Sequence, residues 1–464
     1  MIQMRLSEIA TAIGGQLIGD DQLVTSSVET DSRLISAGGL FVAKPGEVTD
    51  GHLFIAEAQR AGAIGAIVER RIADAQISQI LVSDSVQALG ELAKHVLELH
   101  RRDHQISVIG VTGSNGKTST KNMLREVLSK FGETVAPIES FNNEVGAPIS
   151  ILKISPSTRF LVVELGADGL GSIDYLAKIC NPDIGVVLKV GLAHVGEFGD
   201  IETTFKIKSE LANSLQTGTR VLLNADDSYV ARMSESTKAQ VHWFGTNADS
   251  EIRAEDISVA LDGTSFTFIC NDFSTRVKLH ILGEHQVMNA LAALGVANLL
   301  GLDLKVAVAA LEAMQLAERW RMQLLPGPKG SIVINDAYNA SPDSMKAALQ
   351  TLATIGRQGH RTIAVLGEMA ELGRYSVEEH DAIGRLAVRL NIDEVVVVGE
   401  GAKLIHMGAS QEGSWDGESK FFVTISDALE HLRGLLGVGD VVLVKSSNSS
   451  GLRALGDALA EVNQ

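Results

Sequence analysis

The stretch Gly110-Val111-Thr112-Gly113-Ser114-Asn115-Gly116-Lys117-Thr118 constrains this chain more than any other. An apolar strand, Ile106 to Val111, runs into a glycine-rich turn, and the turn runs into a helix expected from about Lys117 to Lys130. Met123, Leu124, Val127, Leu128 and Phe131 recur there at helical spacing and would pack the helix on a sheet. Such a strand–turn–helix aims backbone N–H groups and the positive end of a helix at phosphate oxygens. Lys117 supplies a point charge for the outer phosphates, and the Thr118 hydroxyl can ligate magnesium. The spacing is a variant of the usual loop, because Val111 stands six residues before the lysine and the glycines fall at 110 and 113. A plain glycine turn before a helix is the bland alternative. The order strand, Gly-Lys-Thr, helix favours a nucleotide-phosphate site made of Gly113, Ser114, Asn115, Gly116, Lys117, Thr118 and Ser119.

The surroundings of this loop predict an α/β chain of three domains. With 464 residues the chain exceeds the size at which one core stops growing. Residues 1–100 open with turn signals, followed by short strands at Ala63–Val68 and Ile80–Val82 and a helix at Ser85–His100. The polar run His100 to Gln105 reads as a linker. In residues 101–318, the apolar runs Phe160–Val163, Ile184–Leu188 and Val221–Leu223 each end in a polar or glycine-bearing turn. That pattern suits parallel strands buried on both faces. Val241–Leu282 alternates more and reads as an antiparallel extension, and a helix at about Gln286–Leu300 closes the segment. Residues 319–464 repeat the α/β pattern with strands at Ile332–Ile334, Thr362–Leu366, Glu394–Val398 and Val441–Val444.

Composition excludes several roles. The formal charge of −17 repels phosphate backbones and anionic surfaces, so neither nucleic acid nor a membrane surface is an expected partner. Cys180 and Cys270 lack any metal-type spacing and read as two reduced thiols. No signal peptide or apolar run of spanning length occurs, and a cytoplasmic location is expected.

Other chemistry-bearing residues fall at the ends of strands. Glu164 follows Arg159–Val163, where a magnesium ligand beside a phosphate loop is needed, although a charged residue ending a strand is also common. His194 lies in the loop Gly191–Gly199, open to a structural or a ligand role. Lys206 and Lys208 look like an ordinary helical charge pair. Asn289 could bond an adenine edge, but a solvated helix face is the plainer reading. Asn335 to Ser344 bunch four polar side chains at a strand end, with Pro342 placed to begin a helix, and suggest a ligand crevice. Leu366 to Gly373 ends a neighbouring strand and is expected to border it.

Together these motifs resemble those of the Mur ligases of bacterial cell-wall synthesis. The resemblance runs through Thr30-Asp31-Ser32-Arg33, Lys44-Pro45-Gly46-Glu47 and Asp50-Gly51-His52, and through the variant loop. It continues in Ser140-Phe141-Asn142-Asn143-Glu144-Val145-Gly146-Ala147-Pro148, Glu164-Leu165-Gly166-Ala167 and Asp336 to Met345. Phe141-Asn142-Asn143 and Tyr338-Asn339-Ala340 favour the branch that adds a dipeptide. The resemblance implies a small α/β N-terminal domain, a central ATPase-like domain with a mostly parallel sheet, and a Rossmann-like C-terminal domain. It implies ATP-driven joining of D-alanyl-D-alanine to UDP-N-acetylmuramoyl-tripeptide through an acyl phosphate, with magnesium, in peptidoglycan precursor synthesis, by a monomer.

By the family's pattern Lys117 and Thr118 hold ATP and a first magnesium, together with Glu164. His194 would ligate a second magnesium, and Lys208, with Lys206 as competitor, would be carbamylated to bridge metal. Asn289 would meet adenine, Arg321 the γ-phosphate and Asp336 the ribose. Ser32 and Arg33 would hold the uridine end, while Asn142, Asn143, Tyr338 and Asn339 would face substrate. One departure stands out: the family's Lys-Gly-Ser-Arg is here Lys445-Ser446-Ser447-Asn448, with an arginine only at Arg453. Two alternatives stay open. One is a relative that adds a single amino acid to the muramoyl peptide or glutamate to folate. The other is a nucleotide-binding scaffold without chemistry.

Overall fold

The computed structural model describes residues 2–46, 49–137, 141–315, 318–413 and 419–460; Glu47 and Ser140 of the motifs above lie outside them. Among the described residues three large sheets, each formed within one segment of the chain, organise the fold, and Met4–Arg5 pairs with Leu23–Val24 in a fourth, two-stranded one. The central sheet has nine strands. In spatial order they are Phe273–Leu279, Gly263–Cys270, Ile252–Ala260, Gln240–Gly245, Arg220–Asn224, Ile184–Val187, Ser107–Thr112, Thr158–Glu164 and Glu133–Val135. The glycine turn therefore leaves the sheet from a strand flanked on both sides by parallel neighbours. Its side chains are buried on both faces, in two separate clusters, which is why the run reads as continuously apolar. The sheet corrects the expected antiparallel extension in part. Gln240–Gly245 pairs parallel with Arg220–Asn224, and antiparallel pairing is confined to the last three strands.

The first sheet has five strands, including Gly65–Val68 and Ser78–Leu81, with the short edge pieces Gln16–Ile18 and Val28–Glu29 outside the expected set. Beside it, His52 is buried between two partners: its Nδ1 meets Asp50 Oδ1 at 2.6 Å and its Nε2 accepts the Glu69 N–H at 3.0 Å. The Asp50-Gly51-His52 motif thus fixes the end of a strand.

The linker expected at His100–Gln105 is largely helix. The helix runs Ser85–Asp103 and is amphipathic enough to continue. Leu89, Leu92, Val96 and Leu97 belong to the same cluster as Ile149, Leu161 and Leu176 of the central unit. His100 is buried and bonds the Thr158 carbonyl at 3.0 Å, so its polarity is satisfied inside the fold. The polar residues are the helix's docking contacts and do not break it.

The third sheet has six strands, ordered Gln323–Pro326, Ile332–Asn335, Val441–Lys445, Thr362–Leu366, Glu394–Val398 and Ser419–Phe422, all parallel but the first. The half-exposed edge strand Ser419–Phe422 carried no clear apolar signal. A helix starts at Pro342 as expected, with Ser341 capping it by accepting the Ser344 N–H. Two loops join the central and third units. Gly196 donates its N–H to the Glu371 carbonyl at 2.8 Å, and a Cβ on Gly196 would lie 2.5 Å from that oxygen.

Candidate active site

The loop Gly113–Gly116 turns the chain from strand to helix in one step because glycine stands where other residues would be strained. Gly116 has φ 88°, and a Cβ there would lie 2.4 Å from the Asn289 side-chain oxygen. The helix begins at Lys117. Its first-turn N–H groups, which no intrahelical partner can satisfy, face the mouth of a cavity of about 350 Å³. Residues of the loop, the sheet edge and the third unit line that cavity together: Ser114 to Ser119, Asn142, Glu164, His194, Asn289, Arg321, Asp336, Tyr338 and Asn339.

Positive charge gathers on one side. The Lys117 ammonium donates to the Gly113 carbonyl at 2.6 Å, and burial pulls its pKa below the ordinary lysine value. The Arg321 guanidinium reaches across from the third unit to 3.3 Å from the Thr118 hydroxyl and lies 4.1 Å from the Tyr338 ring. Arg321 also pairs with Glu318 at 3.0 Å. Lys189 pairs with Asp343 at 2.9 Å, a second link between units. Such a site is built for an anion.

Oxygen donors gather on the other. Glu164 is buried at the end of its strand. Its Oε1 accepts from the Asn142 amide at 2.9 Å and faces the Thr118 hydroxyl at 3.4 Å, while its Oε2 accepts no hydrogen bond. Lys121, fully buried, stands 3.8 Å from Oε2. A buried carboxylate oxygen that accepts no hydrogen bond among the described residues, beside a hydroxyl, is the hard-oxygen set that magnesium takes, so these residues fit that ion. His194 sits at φ 60° at the head of a short turn, with Nδ1 2.6 Å from Glu371 Oε2. If that nitrogen carries the proton, the other ring nitrogen is left as an acceptor for the cavity that His194 lines.

Three sites depart from the plain reading of the sequence. Asn289 is buried, not solvated; it accepts from Thr120 at 3.2 Å and donates to Gln286 at 2.9 Å. Lys206 is exposed and Lys208 is buried, so the two are not a pair. Lys208 does not line the cavity. Its ammonium lies 5.6 Å from the Phe198 ring, and burial, with the Lys117 charge adding to it, pulls its pKa down to about 7. Asp336 is gripped by Lys445 at 2.5 Å and accepts the Met322 N–H at 2.9 Å.

The structure separates other residues from this group. Ser32 and Arg33 belong to the first unit and do not line the cavity; Ser32 is buried and Arg33 pairs with Asp31 at 2.6 Å. Asn143 turns away from Asn142, accepting the Gly146 N–H at 2.9 Å, and lines a second cavity of about 230 Å³ with Asp168 and Tyr175.

Family models match the chain in three successive places: the Mur ligase family catalytic domain at 25–97, the Mur ligase middle domain at 111–297, and the Mur ligase glutamate ligase domain at 320–448. A UDP-N-acetylmuramoyl-tripeptide–D-alanyl-D-alanine ligase of Mycobacterium tuberculosis is 41% identical, covering 99% of this chain and 98% of that protein. The chain belongs to the Mur ligase family. The Bacillus subtilis ligase of the same name is 32% identical over 99% of both chains. A crystal structure of MurF from Acinetobacter baumannii superposes with TM-score 0.89 at 32% identity, covering 99% of both chains. MurF from Thermotoga maritima, solved in complex with ADP, superposes with TM-score 0.82 at 28% identity, covering 95% of this chain and 98% of that one.

The motifs of this Mur ligase give no role to Lys121, Lys189 or His285, which stand at the site. Lys121 stands four residues after Lys117, on the same helix face, and that spacing could have flagged it. His285 lines the cavity at the start of the helix Glu284–Leu299, and burial pushes its pKa down to about 4, so the ring is neutral.

Proposed function

We propose that this Mur ligase joins D-alanyl-D-alanine to UDP-N-acetylmuramoyl-tripeptide, in the cytoplasm and as a monomer, at the expense of ATP. The observation that carries the proposal is one cavity in which a phosphate loop, a buried carboxylate whose Oε2 accepts no hydrogen bond among the described residues, and an arginine from the third unit converge. No described helix is long and apolar enough to cross a membrane.

A carboxylate is a poor electrophile, and amide formation needs its oxygen turned into a leaving group. In the reading we favour, the γ-phosphoryl group passes to the terminal carboxylate of the tripeptide, and the dipeptide amine displaces phosphate from the acyl phosphate. The loop N–H groups, Lys117 and Arg321 meet the charge on the transferring phosphoryl oxygens, and their positions are fixed before reaction. Asn289 bonds adenine and Asp336 the ribose. Thr118 and Glu164 would hold one magnesium ion; by the family's pattern His194 and a carbamylated Lys208 would hold a second, the unmodified Lys208 standing outside the cavity that His194 lines. Bound there, the ions would neutralise phosphate charge and polarise the carboxyl group.

Lys208 suits the modification because burial leaves much of it as neutral amine near pH 7. The amine nitrogen adds to the carbon of carbon dioxide and loses one proton, giving an anionic carbamate. The first unit, to about residue 100, receives the uridine end at Ser32 and Arg33. Asn142, Tyr338 and Asn339 face the muramoyl peptide between the central unit and the third, which divide at about residue 318.

A substrate panel tests the assignment. Phosphate release from ATP is expected only when UDP-muramoyl tripeptide and D-alanyl-D-alanine are both present. Release driven by a single free amino acid, or by glutamate with folate, would move the chain to another branch.

A further inference from the structure

Arg321 sits on a strained piece of backbone. Trp320 and Met322, on either side of it, have φ of 61° and 49°. Residues with side chains rarely hold that region unless their surroundings force them to. For Met322 the surroundings are Asp336, which accepts its N–H at 2.9 Å. For Trp320 they come from the last helix, Leu452–Leu459. There the buried Asp457 carboxylate accepts the Trp320 indole N–H at 3.0 and 3.1 Å, the Arg319 guanidinium at 3.0 Å and the Asn335 amide at 3.0 Å. Two guanidiniums also approach the indole, with Arg319 4.5 Å and Arg453 4.8 Å from the ring centre.

We infer that Asp457 is a positioning residue for Arg321: it holds Trp320 in its left-handed conformation and so aims the next side chain at the outer phosphate. The inference rests on the phosphate role given to Arg321 above. Asp457 does not line the cavity, so it acts only through others. Its three donor residues are not a random set. Arg319 and Trp320 immediately precede Arg321, and Asn335 immediately precedes Asp336, which holds Met322. The segment is thus gripped on both sides of the arginine. Trp320 is tied further to the site, since its carbonyl accepts the Tyr338 N–H at 3.1 Å and the Tyr338 ring lies against Arg321. Arg453, the one arginine near the chain's end that the family spacing left without a place, gains one beside the Trp320 ring.

The test uses the full chain and two nucleotides, ADP and a non-hydrolysable ATP analogue, with affinities measured by calorimetry. Asp457→Asn is expected to weaken the analogue about tenfold while leaving ADP within about twofold, because only the contact to the outer phosphate is disturbed. In an Arg321→Ala background the same substitution is expected to add nothing. Equal losses for both nucleotides, or an undiminished loss in the Arg321→Ala background, would show that Asp457 only supports the fold and would overturn the inference. Trp320→Phe keeps an aromatic six-membered ring and removes the N–H; it is expected to shift the analogue alone, and it carries the comparison if Asp457→Asn does not fold. If Arg321→Ala leaves analogue affinity unchanged, the phosphate role of Arg321 fails and takes the inference with it. If Arg321→Ala weakens the analogue but neither other variant does, the positioning role alone fails.

Discussion

Lys117→Ala is expected to lower ATP-dependent ligation by about a thousandfold, the scale seen when one preorganised donor to a developing charge is lost. The fold should survive. Lys117 is partly exposed, it donates one bond to the Gly113 carbonyl, and burial already disfavours its charge, so its removal relieves a desolvation cost. The loop itself is held by other bonds: Ser114 donates its N–H to the Lys189 carbonyl at 2.8 Å, and Gly191 donates to Ser114 Oγ at 2.9 Å. Unchanged circular dichroism and melting temperature together with lost phosphate release is the expected pair of results. Ligation retained within tenfold would mean that the ammonium does not meet the transferring phosphate.

Lys208→Met is expected to abolish ligation, by about a thousandfold or more if the carbamate supplies a ligand that neutral side chains cannot replace. Its effect on stability should run the other way. The lysine falls from its ordinary 10.5 to about 7 on folding. Between those values the unfolded chain binds more protons, so the unmodified lysine destabilises the fold most below about pH 7, and that penalty fades as pH rises toward 10.5. In buffer free of carbon dioxide the methionine variant should therefore melt higher than the parent below pH 7, and the gap should narrow in alkali. Excess bicarbonate should not restore its activity. Isotope-labelled bicarbonate should give a carbamate signal in the parent and none in the variant. Full activity in Lys208→Met would remove the lysine from the chemistry.

Much of the fold could be read from periodicity because the central strands are buried on both faces and the helices between them on one. Edge strands such as Ser419–Phe422 are half-exposed and short, and their pattern fades. The helix through His100 misled for a different reason: its polar residues find partners in another unit, which local pattern does not reveal.

The site was legible where its residues are close in sequence. Gly113 to Ser119 form one turn, and Glu164 ends a strand beside it. Lys208 was legible in principle, since Thr204, Ile207, Lys208 and Leu211 trace one buried helical face that Lys206 does not share. Asn289 was misjudged because the helix Glu284–Leu299 is buried on nearly every side, a composition that argues for the interior. The clasp on Trp320 joins residues 137 positions apart, and no local pattern could have brought them together.

The most direct measurement follows oxygen. With the terminal carboxylate of UDP-muramoyl tripeptide labelled with heavy oxygen, attack of that carboxylate on ATP must carry one labelled atom into the released phosphate. Mass analysis of the phosphate is expected to find the label, in step with amide formed and dependent on Lys117. Unlabelled phosphate alongside full amide yield would contradict phosphoryl transfer to the carboxylate.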